Sequence, residues 1–182
     1  MAREESEGLI RDRCFRELFN RLGQPETLSG TGKAARFELR ELYGPGDCRV
    51  EGKLSYTLPS GEKIFHTNDI LLSRGSSQFF AIECKCLSAV SDQFKARVYD
   101  MLQTKRTLGE QVIGIMVYAH VPGCGIGLQT AKAFCYPFDH FVGFELRRPE
   151  DFETLSWQRL PDLIEAAILK TRSAAGDVGT AV

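Results

Sequence analysis

Between residues 3 and 22 the apolar positions Leu9, Ile10, Cys14, Phe15, Leu18, Phe19 and Leu22 recur three and four apart, and Gly23 follows. That is the spacing of a helix with one buried face, and the glycine stops it. The period then shortens. Residues 35–41, 48–57, 63–72 and 78–87 read as strands, separated by the turn-forming runs YGPGD, LPSGE and SRGSS. A second helix is predicted from Ser91 to about Thr107. The run at 112–120 is apolar throughout, which predicts a central strand covered on both faces. A helix near 128–135, a short strand near 141–146 and a terminal helix near 159–172 complete the series. Helix, strand meander, helix, buried strand and helix together predict an α/β sandwich around a mixed central β-sheet.

A chain of 182 residues, 43% hydrophobic and 26% charged, is the size and composition of one globular domain with a core of its own. We place that domain at 1–172 and expect the small, polar stretch 173–182 to be a flexible tail. No apolar run approaches membrane-spanning length, and the opening MAREESEGLIRDR has no apolar stretch of the secretory kind, so the expectation is a cytoplasmic protein with no membrane partner. The net charge of −1 and pI near 6.3 do not describe a chain that coats nucleic acid. A local basic stripe on a neutral body still suffices for phosphate contact.

The six cysteines, at 14, 48, 84, 86, 124 and 135, form no CxxC pair. Cys84 and Cys86 share one face of their strand, and the reading is of small buried apolar side chains rather than a zinc or redox centre.

Candidate chemistry lies in His66-Thr-Asn-Asp69-Ile-Leu-Leu72 and Ala81-Ile-Glu83-Cys-Lys85-Cys-Leu87, two apolar strands joined by SRGSS. Each carries charge where the pattern calls for burial, which is costly unless the charges are paired or hold a cation. Glu83 and Lys85, two apart, project from one face, and a hairpin can bring Asp69 alongside Glu83. Two carboxylates and a backbone carbonyl, with Cys84 the candidate, make an oxygen-rich site suited to Mg²⁺ or Mn²⁺. The other reading is a salt-bridged Glu83–Lys85 pair on a half-exposed strand.

Asp69, thirteen intervening residues, then Glu83-Cys84-Lys85 at the end of an apolar strand resembles the signature of the PD-(D/E)xK nucleases, which include restriction endonucleases and archaeal Holliday junction resolvases. The residue before Asp69 is asparagine rather than proline, a variation common in that superfamily. A second tripeptide of the same form, Glu51-Gly52-Lys53, fails on context: Asp47 is too close and Gly52 suits a strand core poorly. The resemblance covers about residues 1–120. It implies a restriction-endonuclease-like αβ core, Asp69 and Glu83 as metal ligands, and Lys85 as the catalytic lysine. It further implies an acid from the first helix, with Glu7 preferred over Glu17, and a polar residue from the second helix near the metal, for which Gln103 is the candidate.

On the second helix Val90, Phe94, Val98, Met101, Leu102 and Lys105 form the expected packing face, while Lys95, Tyr99, Gln103 and Arg106 fall on another at helical spacing. That second column suits a phosphate backbone, or is simply a wet helix face. His66 falls on the strand face opposite Asp69 by parity and reads as a packing or hydrogen-bonding histidine; His120 and His140 have no evident partner. The run VPGCGIG at 121–127 lacks the spacing of a phosphate loop. Trp157 and the apolar stripe of 159–172 are expected to pack on the sheet as a lid, or to form a dimer face.

The function these residues predict is a Mg²⁺- or Mn²⁺-dependent DNA endonuclease, acting as a homodimer or within a larger nuclease complex. The alternative is a non-catalytic nucleic-acid- or protein-binding module on the same fold.

Overall fold

A computed structural model describes residues 3–86, 91–123, 125–147 and 151–176. The elements run α1 (Arg3–Leu22), β1 (Arg36–Glu38), β2 (Gly46–Val50), β3 (Lys53–Thr57), β4 (Lys63–Thr67), β5 (Ile70–Arg74), β6 (Gln78–Cys86), α2 (Ser91–Leu108), β7 (Val112–His120), α3 (Leu128–Phe134), β8 (His140–Glu145), α4 (Asp151–Thr154) and α5 (Arg159–Gly176). Six strands form one mixed sheet in the order β1-β2-β5-β6-β7-β8, and β3 and β4 form a separate two-stranded ribbon. The β1-β2-β5-β6 side is antiparallel; β6, β7 and β8 run parallel. The fold is therefore mixed α/β, as the element order predicted.

The sheet is covered on both sides because its inner strands β6 and β7 are apolar at most positions on both faces. Alternate residues Ile82, Cys84, Ile115, Val117 and Ala119 join Ile10, Cys14, Leu18, Leu160, Ile164 and Ile168 in one core under α1 and α5. Ala81, Met116 and Tyr118 face the other way, against Phe94, Met101 and Ala131 of α2 and α3. Trp157 is 2% exposed, stacked 4.5 Å from Phe144, with its indole N–H donating to the Phe152 carbonyl at 3.1 Å. Of the two readings for this segment, the structure shows the lid packed on the sheet.

Three expected strands need correction. The first shortens from 35–41 to Arg36–Glu38, because Glu41–Tyr43 coil into a 3₁₀ turn closed by Gly44 at φ 82°. The second, 48–57, is two strands, β2 and β3, parted at Glu51-Gly52. The third, 63–72, is likewise β4 and β5, parted at Asn68-Asp69. Burial alternates without interruption from Cys48 through Gly52 to Tyr56, so a period-2 pattern cannot reveal the break. What parts the strands is a crossing: Cys48 and Val50 belong to the α1 side, whereas Leu54 packs with Leu71, Ala81 and Met101 on the α2 side. Gly52 permits it, since a Cβ there would stand 2.4 Å from that of Leu71. At the tail end, α5 continues to Gly176, so the expected tail is helical over 173–176, in keeping with its alanines; 177–182 lie outside the described residues. No helix among the described residues is long and apolar enough to cross a membrane.

Candidate metal and phosphodiester site

The strand crossing sets the site's geometry. Chain leaves the large sheet at Glu51-Gly52 and returns at Asn68-Asp69, where two backbone bonds clamp it: Asn68 N–H to the Gly52 carbonyl at 3.0 Å and Glu51 N–H to the Asp69 carbonyl at 2.9 Å. A proline in place of Asn68 would have no N–H for the first of these. Asp69 consequently sits on a bend before β5 rather than inside a strand. From there its Oδ2 accepts the Cys84 N–H at 2.7 Å, beyond the end of the β5–β6 ladder at Ile70↔Ile82. A strand residue sends its N–H and C=O to the same edge, so the Cys84 carbonyl also faces Asp69. The Cys84 thiol points oppositely, into the α1 core, where a hydrogen bond with Cys14 and burial hold it well above its ordinary pKa. Cys14, Cys48, Cys84, Cys86 and Cys135 are buried and unbridged; Cys124 lies outside the described residues.

Glu83 and Lys85 leave the face toward α2 and are both buried, at 2% and 6% exposure. They are not a simple ion pair with each other. Lys85 Nζ lies 3.5 Å from Glu7 Oε2 at the start of α1, and Glu83 Oε2 lies 3.2 Å from Arg97 Nε on α2. Neither carboxylate oxygen of Glu83 has an aligned hydrogen-bond partner among the described residues. Burial, then the charge of Asp69, raises its pKa to about 8 against the opposing pull of Arg97 and Lys85. Glu17, the other acid considered on α1, is held structurally by Arg13 at 3.1 Å and Gln158 at 2.8 Å.

On α2, Phe94, Met101 and Thr104 are buried, Val98, Leu102 and Lys105 half-buried, and Lys105 pairs with Asp139. Val90, assigned to this packing face, lies outside the described residues. Lys95, Tyr99 and Arg106 are exposed as the sequence suggests, Tyr99 at 62%. Gln103 is half-buried, and its backbone carbonyl accepts the Thr107 hydroxyl at 3.2 Å; no contact described among these residues joins it to Asp69 or Glu83. The α2 residue that reaches Glu83 is Arg97 instead, and Asp100 joins the site through it. Asp100 lies 3.8 Å from Arg97 and 3.6 Å from His66 Nε2. His66 therefore belongs to the rim of the site, contrary to parity, because counting alternate faces fails across the break at 68–69. Burial lowers its pKa, the charge of Asp100 raises it, and Arg97 lowers it further. The signal missed in the sequence was Arg97 and Asp100 at i, i+3 on the helix directly after the Glu-Cys-Lys strand. His120 is buried, with its Nδ1 lacking a partner among the described residues, and sits beside Tyr118 at 6.0 Å; His140 is exposed.

Among the described residues no group of three or more His, Cys, Asp or Glu side chains stands close enough to hold a metal. A site of two carboxylates, a carbonyl and solvent does not need one: Mg²⁺ keeps several waters and takes one or two protein carboxylates. Two neighbouring acids, one wholly buried with neither oxygen hydrogen-bonded among the described residues, fit such an ion. No family model matches the chain, and no curated protein matches it.

Proposed function

We propose that the chain is a divalent-metal-dependent phosphodiesterase, a DNA endonuclease of the PD-(D/E)xK type on a restriction-endonuclease-like αβ core. The observation that carries this reading is the buried Glu83 carboxylate, with no aligned hydrogen bond among the described residues, beside Asp69 and on the same strand face as Lys85. A carboxyl raised to about 8 by burial and a neighbouring acid is poorly suited to stand alone, and cation binding relieves both causes.

Asp69 and Glu83 would hold the ion, with the Cys84 carbonyl as a further oxygen donor; Glu7, the acid expected from the first helix, pairs with Lys85 instead of completing a three-acid set. Mg²⁺ or Mn²⁺, when bound there, polarises a phosphoryl oxygen and lowers the pKa of water. Lys85 brings an ammonium group to the same strand face as Glu83, where it orients attacking water and stabilises charge developing on the phosphate. Its pairing with Glu7 ties it to α1, 78 residues away in sequence, so its position depends on the fold rather than on its own strand. The exposed column of Lys95, Tyr99 and Arg106 on the helix following β6 suits a DNA backbone, with positive charge for phosphate and an aromatic for a sugar or base. Recognition of DNA structure or ends, and action as a homodimer or in a larger complex, belong to the same reading.

The test is cleavage of labelled duplex, single-stranded and branched DNA with Mg²⁺ or Mn²⁺, wild type beside Lys85→Ala. Metal-dependent cutting that the variant loses is expected. The second reading, a non-catalytic nucleic-acid- or protein-binding module, draws on Arg97, a protein cation already 3.2 Å from Glu83. Binding indifferent to Mg²⁺ and to Lys85→Ala, with no cutting of any substrate, would favour it.

A further inference from the structure

Arg97 reaches Glu83 from a different direction, and with a different freedom, than Lys85. Its Nε stands 3.2 Å from Glu83 Oε2, and its Nη1 stands 3.8 Å from Asp100 Oδ2, one helical turn further along α2. The two acids are unlike. The Glu83 side chain is 2% exposed and that of Asp100 36%, while Arg97 is itself 34% exposed. The guanidinium thus bridges a buried carboxyl group and a half-exposed one, at the end of a long, half-buried stem. Its contact with Glu83 lacks the alignment of a hydrogen bond, which the fork of an arginine makes readily when it is built into a site. Lys85 is 8% exposed at its side chain and tied to α1 through Glu7.

We infer that Arg97 is a displaceable cation: in the metal-free protein it occupies the Glu83 carboxyl, and it gives up that group to an incoming divalent ion by swinging to Asp100. The inference rests on the metal-site reading above. Two positive groups cannot both take Oε2 at contact distance, because their repulsion in a poorly solvated pocket is large. Arg97 is the one with somewhere to go, since Asp100 already lies within ion-pair distance of its Nη1. Occupancy by Arg97 would keep the metal affinity modest until metal and substrate arrive together.

Two measurements on the full chain, without nucleic acid, test this. Mn²⁺ binding to wild type and Arg97→Gln is followed by calorimetry, and the side-chain Nε–H signal of Arg97 in wild type is followed by NMR during Mg²⁺ titration. Expected are about tenfold tighter Mn²⁺ binding in the variant, the factor a charge-assisted contact of ordinary strength represents, and an Arg97 signal that shifts in step with site occupancy. Unchanged or weaker binding by a folded Arg97→Gln would overturn the inference. So would tighter binding with an Arg97 signal that stays put as wild type fills, since that is only the loss of a nearby charge. If the variant fails to fold, the wild-type titration decides alone. Absence of Mn²⁺ binding by both proteins would overturn the metal reading itself, and this inference with it.

Discussion

Glu83→Gln removes an ionisable group from a wholly buried position while keeping its length and shape. In the metal-free protein the carboxyl is carried from its ordinary 4.5 to about 8, first by burial and then by the charge of Asp69. Between those values the folded chain keeps a proton that the unfolded chain releases. The stability this group contributes is therefore greatest below pH 4.5, falls as pH rises, and is fully lost above about pH 8. At 1.36 kcal/mol per pH unit the whole span is about 5 kcal/mol. Relaxation and water entry recover part of such a cost in real proteins, so about 2–3 kcal/mol is the expected measured change. Glutamine carries no charge at any pH. Urea unfolding in EDTA from pH 5 to 8.5 should therefore show the variant gaining on wild type as pH rises, with the gain levelling off above about pH 8. In thermal melts the same gain is about 5–10 °C for a chain of this size. A stability difference that is flat across the range, or that moves against the variant with rising pH, would refute the burial argument. Cleavage should be lost in the same variant, so the residue would be destabilising where it stands and required for what it does.

Asp69→Asn should lower metal-dependent cleavage by about a hundredfold or more while changing stability by under about 1 kcal/mol, because the amide oxygen can still accept the Cys84 N–H at 2.7 Å. Asp69→Ala should lose the same activity and about 1–2 kcal/mol besides, measured by denaturant unfolding; retained cleavage in either would remove Asp69 from the site. Gly52→Ala sets a Cβ 2.4 Å from that of Leu71 at the strand crossing. It should cost about 1–3 kcal/mol and lower cleavage with it, since the same crossing positions Asp69. Trp157→Ala, which empties the space against Phe144 and Phe152, should cost about 3–5 kcal/mol in chemical unfolding and leave the site's residues in place.

Much of the molecule was legible from hydrophobic period alone. The helix at 3–22, the buried strand at 112–120 and the Glu-Cys-Lys strand coincide with α1, β7 and β6 to within a residue, because each has a strong local pattern and a glycine or polar run at its end. Burial of Glu83 and Lys85 on one face also follows from spacing, as strand residues two apart must share a side. The pairing of Asp69 with Cys84 is a different matter. Asp69 was assigned to a strand interior, yet reaches the Cys84 N–H because it lies on a bend.

Element order, the α/β class and the identity of the charges set into apolar strands are local properties, since each depends on a few neighbouring residues. Packing in three dimensions is what parts two apparent strands at Glu51-Gly52 and Asn68-Asp69 and sends a ribbon to the other face of the sheet. It alone placed His66 at the rim, gave Lys85 to Glu7 and Glu83 to Arg97, and left Glu17 to hold Gln158 just before α5. Alternation of polar and apolar residues reports whether a position is buried, but not against which layer. A chain that crosses from one face of a sheet to the other can keep the same alternation throughout, and only packing distinguishes the two sides.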